Sequence, residues 1–532
     1  MSASRLSGRA LATIFASALA VTVLTAVPAH SQTFSVVASI TDHAYSNPSG
    51  QIVQGRNGEV YAVTPDNGWL FSTTTSGTFA GVYQVGGPSG VTLGADGNLY
   101  TNFVYDRIGC GEVDKTTPLG VYAELASICG NDGTFPYSAP IQAPNGVFYG
   151  TASAGGTSND GTIYSVTANG TVAALHTFVG TDGSTPYAPL VVGSDGNLYG
   201  GTYYGGTNND GVLFRITPGG TYTVLHDLAG TDGTNISEGL CLGKDGNLYG
   251  VTRVGGTENG GVIFKLTNSG VYTVLYNVTN TYSEPASSLV QASDGNFYGV
   301  LGQGNSSQPG WIYSVTPGGT FTILHEFCQE TNCTDGSAPS TPLIQHTDGT
   351  LYGFTLQGGT GTQYDGTFYS LNIGAQPFVS LISTSGKEGS KIEILGQGFS
   401  SASVVKFGGT PATAVQRAGT TFLAATVPAG ALTGSVTVTT GATTLTSSQA
   451  FRVTPTLASF DPPSGPVETP VTITGTGLMQ TTKVAFNGKL ASFTVNSDTE
   501  VTATVPTGAT TGKIALETKG GTASSTTSFT VN

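Results

Sequence analysis

The sequence predicts an all-β protein in which a seven-bladed β-propeller is followed by two C-terminal immunoglobulin-like β-sandwiches. Three observations carry this prediction: a phrase related to Asp-Gly-Asn-Leu-Tyr that recurs with a period near 50 residues, four strand-like runs in each repeat, and a change of composition near Ala375. The tyrosines of the seven copies are Tyr61, Tyr100, Tyr149, Tyr199, Tyr249, Tyr298 and Tyr352. A period of this length, built from turns and from β-branched or aromatic runs, is typical of sheets arranged radially around an axis.

The four strands of a repeat are clearest in residues 188–228. A short apolar run ends at the Asp195-Gly196 turn, and three alternating runs follow it. Asp-Gly between two such runs is a strong hairpin signal, because both central residues of the favoured two-residue turn have positive φ. Each repeat is therefore predicted to form one four-stranded antiparallel blade.

The N-terminal segment is predicted to complete the ring. Six repeats end with a fourth strand-like run, but no such run follows the third strand of the last repeat, which begins at Gly366. A matching run, TFSVVASI, occupies residues 33–40. Pairing of this segment with the last repeat would leave no open edge, as closed β architectures require.

Residues 1–31 are predicted to be a signal peptide. Arg5 and Arg9 precede an apolar stretch, and Ala29-His30-Ser31 places small residues at the positions that a signal peptidase reads. The mature chain would begin at Gln32, and no other run is long and apolar enough to cross a bilayer. The predicted location is outside the cytoplasm, secreted or at the cell surface.

Composition and charge exclude several classes of partner. The chain has 78 glycines among 532 residues, 9% charged residues and a formal net charge of −14, and removal of the leader makes it two units more negative. Such a field repels phosphate backbones, so nucleic acid is not an expected partner.

The five cysteines sort by their place in the repeats. Cys110 and Cys129 flank a predicted hairpin of the second blade, and Cys328 and Cys333 flank a short insertion. Both pairs are predicted to form disulfides in an oxidising compartment. Cys241, on the innermost strand of the fifth blade, is predicted to be a buried, inert thiol.

Two segments of similar length follow the repeats, at residues 375–454 and 455–532. They share a plan: Gly396-Gln397-Gly398-Phe399 matches Gly475-Thr476-Gly477-Leu478, and Val427-Pro428 matches Val505-Pro506. Short alternating strands with frequent turns predict two small β-sandwiches. The propeller is assigned to residues 32–374.

These motifs resemble two known families. The repeated DGxLYGxTxxGG pattern is similar to the GloVer tandem repeat of exported bacterial proteins and, more distantly, to NHL-type propeller repeats. The paired Gly-x-Gly and Val-Pro motifs resemble IPT/TIG domains. The resemblance implies an exported multidomain surface or secreted protein, and neither family supplies a catalytic set.

The residues that could serve in catalysis have structural explanations instead. His176, His226 and His325 hold one place in the fourth strand of their repeats, which indicates packing. No zinc-binding or nucleophile-elbow motif is present. We therefore predict no catalytic residue, cofactor or metal ligand.

The candidate ligand-binding residues lie on the predicted face where the loops between blades meet the loops between second and third strands. They are Tyr137, Tyr187, Tyr203, Tyr204, Asp132, Asp160, Asp182, Asp210, Asp232 and Asp335. Aromatic rings beside carboxylates and amides are the side chains that bind sugars. The alternative is that the Asp-Gly and Asn-Asp pairs only form turns.

The predicted function is that of an exported, non-catalytic binding or scaffold protein whose propeller face binds an extracellular ligand, with a polysaccharide or another envelope component as the candidate. Two alternatives stay open. One is a carbohydrate-active hydrolase or lyase that uses carboxylates of this face. The other is a structural protein of the cell envelope.

Overall fold

The structure of the chain, a computed structural model, describes residues 32–84, 86–104, 109–279, 284–302, 309–361 and 365–532. The predicted signal peptide lies outside the described residues. The described chain is all-β, as predicted, apart from short 3-10 helices at His43–Tyr45, Gly130–Asp132 and Thr331–Cys333.

The repeats form six successive four-stranded antiparallel sheets and one further sheet that receives the N-terminal strand. The N-terminal strand is β1 (Thr33–Ser39). Sheet I contains β2 (Ser49–Gln54), β3 (Val60–Thr64), β4 (Trp69–Thr73) and β5 (Phe79–Gln84). Sheet II contains β6 (Pro88–Leu93), β7 (Leu99–Phe103), β8 (Gly111–Thr116) and β9 (Tyr122–Ile128). Sheet III contains β10 (Ile141–Gln142), β11 (Phe148–Ala152), β12 (Thr162–Val166) and β13 (Val172–Thr177). Sheet IV contains β14 (Val191–Val192), β15 (Leu198–Gly201), β16 (Val212–Ile216) and β17 (Tyr222–Asp227); sheet V contains β18 (Cys241–Leu242), β19 (Leu248–Val251), β20 (Asn259–Leu266) and β21 (Tyr272–Thr279); sheet VI contains β22 (Val290–Gln291), β23 (Phe297–Leu301), β24 (Trp311–Val315) and β25 (Phe321–Glu326). Sheet VII contains β26 (Ser337–Pro339), β27 (Ile344–Gln345), β28 (Leu351–Gln357), β29 (Thr367–Asn372) and β1.

The first strand of the chain pairs with the last strand of the repeats. β1 is antiparallel to β29, with Thr33 opposite Asn372 and Ser39 opposite Thr367. Phe34 of β1 also stacks on His325 of sheet VI, with ring centroids 3.5 Å apart. The predicted role of the N-terminal segment as the outer strand of the last sheet is confirmed.

The repeated phrase is explained by a local hydrogen-bond network in the turn between first and second strands. Asp195 accepts the backbone N–H of Asn197 at 3.1 Å and the hydroxyl of Tyr199 at 2.7 Å. Tyr199 is fully buried. Only Gly196 has a positive φ, so the expectation that both Asp and Gly adopt one is wrong, because the aspartate side chain closes the turn instead.

Glutamines of the first strands tie each of several sheets to the preceding one. The Gln142 side chain accepts the backbone N–H of Ala95, in the turn of sheet II, at 2.7 Å. Gln54 of sheet I makes the equivalent contact with Thr347 of sheet VII, at 3.0 Å. A cluster containing Val60, Phe71 and Phe354 buries apolar area between these same two sheets, so the first and last sheets are neighbours in space.

The C-terminal part forms two β-sandwiches with the same strand order. The first has sheets β30 (Ser380–Leu381), β32 (Lys391–Leu395), β36 (Phe422–Thr426), β35 (Val415–Ala418) and β31 (Ser385–Gly386), β38 (Thr443–Val453), β37 (Gly434–Thr440), β33 (Val404–Phe407), β34 (Thr410–Pro411). The second has sheets β39 (Thr456–Asp461), β41 (Pro470–Thr476), β45 (Glu500–Thr504), β44 (Phe493–Ser497) and β40 (Ser464–Gly465), β47 (Gly521–Val531), β46 (Gly512–Thr518), β42 (Thr481–Phe486), β43 (Lys489–Ala491). The matched glycines Gly398 and Gly477 both have positive φ, and the residues after them, Phe399 and Leu478, enter the two cores.

The first sandwich is docked on the Asp-Gly-turn side of sheets I and VII. Arg56 of sheet I forms an ion pair with Glu393, and its guanidinium lies 4.6 Å from the ring centroid of Phe422. Gln397 donates a hydrogen bond to the Thr347 hydroxyl at 2.9 Å. These contacts therefore anchor the sandwich to sheets I and VII.

Both predicted disulfides are present. Cys110 is bonded to Cys129, and Cys328 is bonded to Cys333. Cys241 is free, as predicted, but it is half-buried rather than buried. Burial raises the pKa of its thiol to about 11.

Candidate functional site

The four tyrosines singled out in the sequence form a continuous row. Neighbouring ring centroids are 5.2 Å apart between Tyr137 and Tyr187, and 5.4 Å apart between Tyr187 and Tyr203. Tyr203 and Tyr204 are 4.7 Å apart. Each pair meets edge to face, and Tyr137 and Tyr204 are 46% and 43% exposed, so the row presents aromatic surface to solvent.

Two kinds of loop position this row. Tyr137 and Tyr187 lie in the loops that join one sheet to the next, whereas Tyr203 and Tyr204 lie between β15 and β16. Ser184 and Tyr204 exchange two backbone hydrogen bonds, of 2.8 and 3.1 Å, which join the two kinds of loop. Main-chain pairing therefore fixes the backbone of Tyr204 without a contribution from its ring.

The row borders a cleft with two connected parts. The outer part has a volume of about 410 Å³ and is lined by Tyr187, Tyr203, Tyr204, Ser237, Glu238, Arg253, Glu284 and Pro285. The central part, of about 430 Å³, adds Tyr137 and the serines of neighbouring loops. Tyr187, Ser237 and Glu238 line both parts. We call the whole the tyrosine cleft, and its size is that of an ordinary small-molecule site.

Two carboxylates and one guanidinium give the cleft its charge. Arg253 donates to Glu284 at 2.5 Å, and this contact raises the pKa of Arg253. For Glu238, burial raises the pKa to about 7, against the opposing effects of Arg253, the Ser237 hydroxyl and a backbone hydrogen bond with Ser288. The cleft therefore holds one carboxyl group that changes protonation near neutral pH and one that is ion-paired.

Three of the predicted aspartates lie elsewhere, at the outer strands. Asp182 and Asp232 contact His176 and His226 at 2.9 and 2.8 Å, and Asp335 lies 3.7 Å from His325. His176 stacks on Tyr222 of the next sheet, and His226 stacks likewise on Tyr272. The predicted packing role of these histidines is confirmed. Asp182, Asp232 and Asp335 are the polar partners of the packed rings.

The other three aspartates also lie apart from the cleft lining. Asp132 accepts the backbone N–H of Ala174 at 3.1 Å. Asp160 and Asp210 accept, through their backbone carbonyls, the N–H groups of Thr185 and Asn235 in the next inter-sheet loop. Their carboxylates have no hydrogen bond to a described residue and border the loops around the tyrosine row.

Glu238, Arg253 and Glu284 were not among the residues predicted from the sequence. The repeats nevertheless contain a feature that distinguishes Glu238. Counted from the aspartate of each inter-sheet loop, the place of Glu238 is taken by Ser138, Ala188 and Thr341 in other repeats. Because other repeats have a small, uncharged residue at this position, packing does not require a charged one. A glutamate there therefore indicates a functional site.

Within the described ranges, no group of three or more His, Cys, Asp or Glu side chains is arranged to hold a metal ion. None of the helices in that part of the chain has the length and apolar character needed to span a membrane.

The fold and the cleft define a class of protein, a β-repeat protein with a ligand-sized cleft and two C-terminal sandwiches. Residues 20–192 and 168–333 match the model of the Gloeobacter/Verrucomicrobia repeat, and residues 377–453 and 455–531 match that of the IPT/TIG domain. The chain belongs to the Gloeobacter/Verrucomicrobia repeat family and ends in two IPT/TIG domains. Both predicted resemblances are confirmed.

Among curated proteins, none matches the chain. Among solved structures, streptogramin B lyase is 18% identical, with a TM-score of 0.45 over 64% of this chain and 97% of that one. Virginiamycin B lyase from Staphylococcus aureus is 15% identical, with a TM-score of 0.44 over 64% and 99%. The PQQ-bound aldose sugar dehydrogenase from Streptomyces coelicolor is 13% identical, with a TM-score of 0.38 over 65% and 99%. Likenesses at this level say nothing about the ligand of this chain.

Proposed function

We propose that the protein is an exported, non-catalytic binding protein whose tyrosine cleft takes a saccharide of the extracellular matrix or cell envelope. In this proposal the seven sheets are the blades of one closed ring over residues 32–374. Residues 1–31 are the leader that directs export, and residues 375–454 and 455–532 are separate docking modules.

The observation that carries the proposal is the row of four tyrosines beside a cleft with charged and hydroxyl groups. Tyrosine rings can cover the apolar face of a sugar, while the hydroxyl of Ser237 and the carboxyl group of Glu238, which line the cleft, can hydrogen-bond to its hydroxyls. The spacing of Tyr137 and Tyr187, one in each of two successive loops, suits successive units of one chain.

A glycan array probed with the purified protein tests this proposal, followed by calorimetric titration of the best ligand. Tyr137→Ala and Tyr187→Ala should each weaken binding by about 1–3 kcal/mol, as the loss of an aromatic contact does at other interfaces. Tyr83→Ala is the matched control, because Tyr83 stacks on Tyr122 at the outer strands of sheets I and II. Full affinity in both cleft variants, or no glycan bound by the parent, would leave the scaffold role in the envelope as the better explanation.

One observation favours a second candidate, a carbohydrate-active hydrolase or lyase. Burial raises the pKa of Glu238 to about 7, and a carboxyl group with such a pKa is suited to general acid or base catalysis near neutral pH. Release of sugar products by the parent but not by Glu238→Gln, with glycan affinity retained in the variant, would establish the enzyme. Retained affinity without product release by the parent supports the binding protein.

A further inference from the structure

A second cavity lies at the opposite end of the sheets, on the side of the Asp-Gly turns. Its volume is about 750 Å³, and it lies between the first strands of sheets II to VI and the first sandwich. The contacts of Arg56 and Gln397 hold the sandwich on sheets I and VII, and other residues of the sandwich, among them Ile382 and Ile392, line this cavity opposite sheets II to VI. We call it the basal chamber.

The basal chamber is predominantly apolar where the sheets contribute side chains. Leu93, Ile141, Val191, Leu242 and Val290 line it from below, and Ile382 and Ile392 line it from the sandwich. The polar ends of the glutamines in this wall are already occupied, since Gln142 and Gln291 each bond backbone groups of the turns. The wall formed by the sheets therefore offers apolar area and few free donors, whereas the sandwich adds polar groups, among them Ser383, Ser390 and Lys391.

A smaller cavity of about 300 Å³ adjoins the chamber, and the two share Leu242, Thr384 and Gln449. Its polar lining consists of Arg452, Lys244, Thr384, Gln449 and four serines, Ser194, Ser435, Ser447 and Ser448. We call it the basic pocket. The Lys244 ammonium donates to the carbonyls of Ala292 and Ser293, at 3.0 and 3.1 Å.

Arg452 is the unusual group in the basic pocket. It is half-buried, and its guanidinium has no hydrogen bond or ion pair to any described residue. Burial lowers its pKa, and the nearest acid that opposes this effect is Asp195, whose carboxylate already accepts from Asn197 and Tyr199. A half-buried guanidinium without a protein partner is available to bind an anion, since it presents several donors in a planar fork.

We propose that the basal chamber and the basic pocket together bind an anionic amphiphile, with an unbranched aliphatic chain in the chamber and a carboxylate or phosphate head on Arg452. The positive charge of Arg452 calls for an anionic head group. The apolar wall and the volume of the basal chamber call for an aliphatic chain. This site is separate from the tyrosine cleft and takes a different class of ligand.

Dodecanoate is a suitable probe, with dodecanol as the uncharged match and inorganic phosphate as the head alone. In titrations of the full mature protein, we expect one dodecanoate per chain, dodecanol bound at least about tenfold more weakly, and no binding of phosphate at the same concentrations. Arg452→Gln should reduce dodecanoate affinity to that of dodecanol and leave dodecanol unchanged. Ile382→Trp, which fills the chamber, should abolish both.

Cys241 gives an independent readout, because it is a free thiol and lines the chamber. Dodecanoate should slow its modification by N-ethylmaleimide, measured by intact mass, in the unaltered protein. Thermal melts show whether each variant folds, and the comparison of probes on the parent does not depend on any variant. Equal binding of dodecanoate and dodecanol, protection by phosphate alone, or no protection by dodecanoate would each overturn the proposal.

Discussion

Gln54 and Thr347, which lie 293 residues apart in the chain, are joined by two hydrogen bonds. The Thr347 backbone N–H donates to Gln54 Oε1 at 3.0 Å, and Gln54 Nε2 donates to the Thr347 hydroxyl at 2.8 Å. The same kind of contact joins Gln142 to the preceding turn. A contact between neighbouring repeats is thus reproduced between the first repeat and the last, which is what a closed ring requires.

Loss of this contact should weaken the junction of sheets I and VII. Gln54→Ala leaves the buried Thr347 amide without its partner and removes one of the two donors to the Thr347 hydroxyl, so we expect the free energy of unfolding to fall by about 1–3 kcal/mol. Gln416→Ala, at an exposed position of β35, is the control and should change stability by less than about 0.5 kcal/mol. Urea unfolding measures both. Equal effects of the two substitutions would contradict a role for Gln54 in closure.

Removal of β1 should expose the edge of β29. A chain that begins at Pro48 lacks the strand and the Phe34–His325 stacking, and we expect a loss of several kcal/mol of stability together with concentration-dependent association. Thermal melts and sedimentation velocity test these two effects. A shortened chain that stays monomeric and melts with the full mature chain would show that β1 is dispensable.

Tyr199 should behave oppositely to the cleft tyrosines. Because its ring is fully buried, Tyr199→Ala should cost about 3 kcal/mol or more through cavity formation. Tyr199→Phe keeps the ring and removes only the donor to Asp195, so about 1 kcal/mol is expected. Chemical denaturation measures the free energy of unfolding of each variant and so separates the effect of the ring from that of the hydroxyl. Similar losses in both variants would mean that the hydroxyl, and not the packing, dominates.

Stability should depend on pH through Asp114. The side chain is 1% exposed and accepts the Tyr122 hydroxyl at 2.9 Å, yet burial raises its pKa to about 7, with Glu112 and Glu124 adding to the effect. The folded state therefore binds the proton more tightly than the unfolded state. The protonated Asp114 carboxyl group therefore contributes fully to the free energy of unfolding below about pH 4. This contribution, of up to about 4 kcal/mol, is lost as the pH rises through about 7.

Asp114→Asn removes this titration, since the amide stays neutral. The stability of the variant relative to the parent should therefore increase between pH 4 and pH 8, as followed by urea unfolding at intermediate values. Asp66→Asn, at an exposed turn, should keep the parental profile. Parallel profiles for parent and Asp114→Asn would exclude Asp114 as the titrating group.

The disulfide pattern makes a separate prediction. Under denaturing, non-reducing conditions one thiol per mature chain should react, and peptide mapping should place it at Cys241. Reduction of the Cys110–Cys129 bond, which closes a loop with a sequence separation of 19, should lower stability by roughly 3 kcal/mol. A mapped bridge that includes Cys241 would refute the assignment.

The repeat period, the four strands of each sheet, the pairing of β1 and both disulfides were predictable from the sequence. Each rests on a pattern that the chain carries locally or repeats: the Asp195-to-Tyr199 turn is built within five residues, and TFSVVASI is a copy of a strand present in other repeats. The tyrosine row was also predictable, since Tyr137 and Tyr187 share a place in successive loops.

The tertiary structure alone decided which charged groups accompany these tyrosines and which cavity lies beneath the first sandwich. Glu238, Arg253 and Glu284 come from three different loops that adjoin sheet V, and Arg452 approaches Ser194 from a different domain, so no sequence period relates them. Predicted aspartates such as Asp182 proved to be partners of histidines because hydrogen-bond geometry, which spacing does not encode, determined their environment. Sequence period thus determined the repeated architecture, whereas packing between non-equivalent positions determined the chemistry of the two cavities.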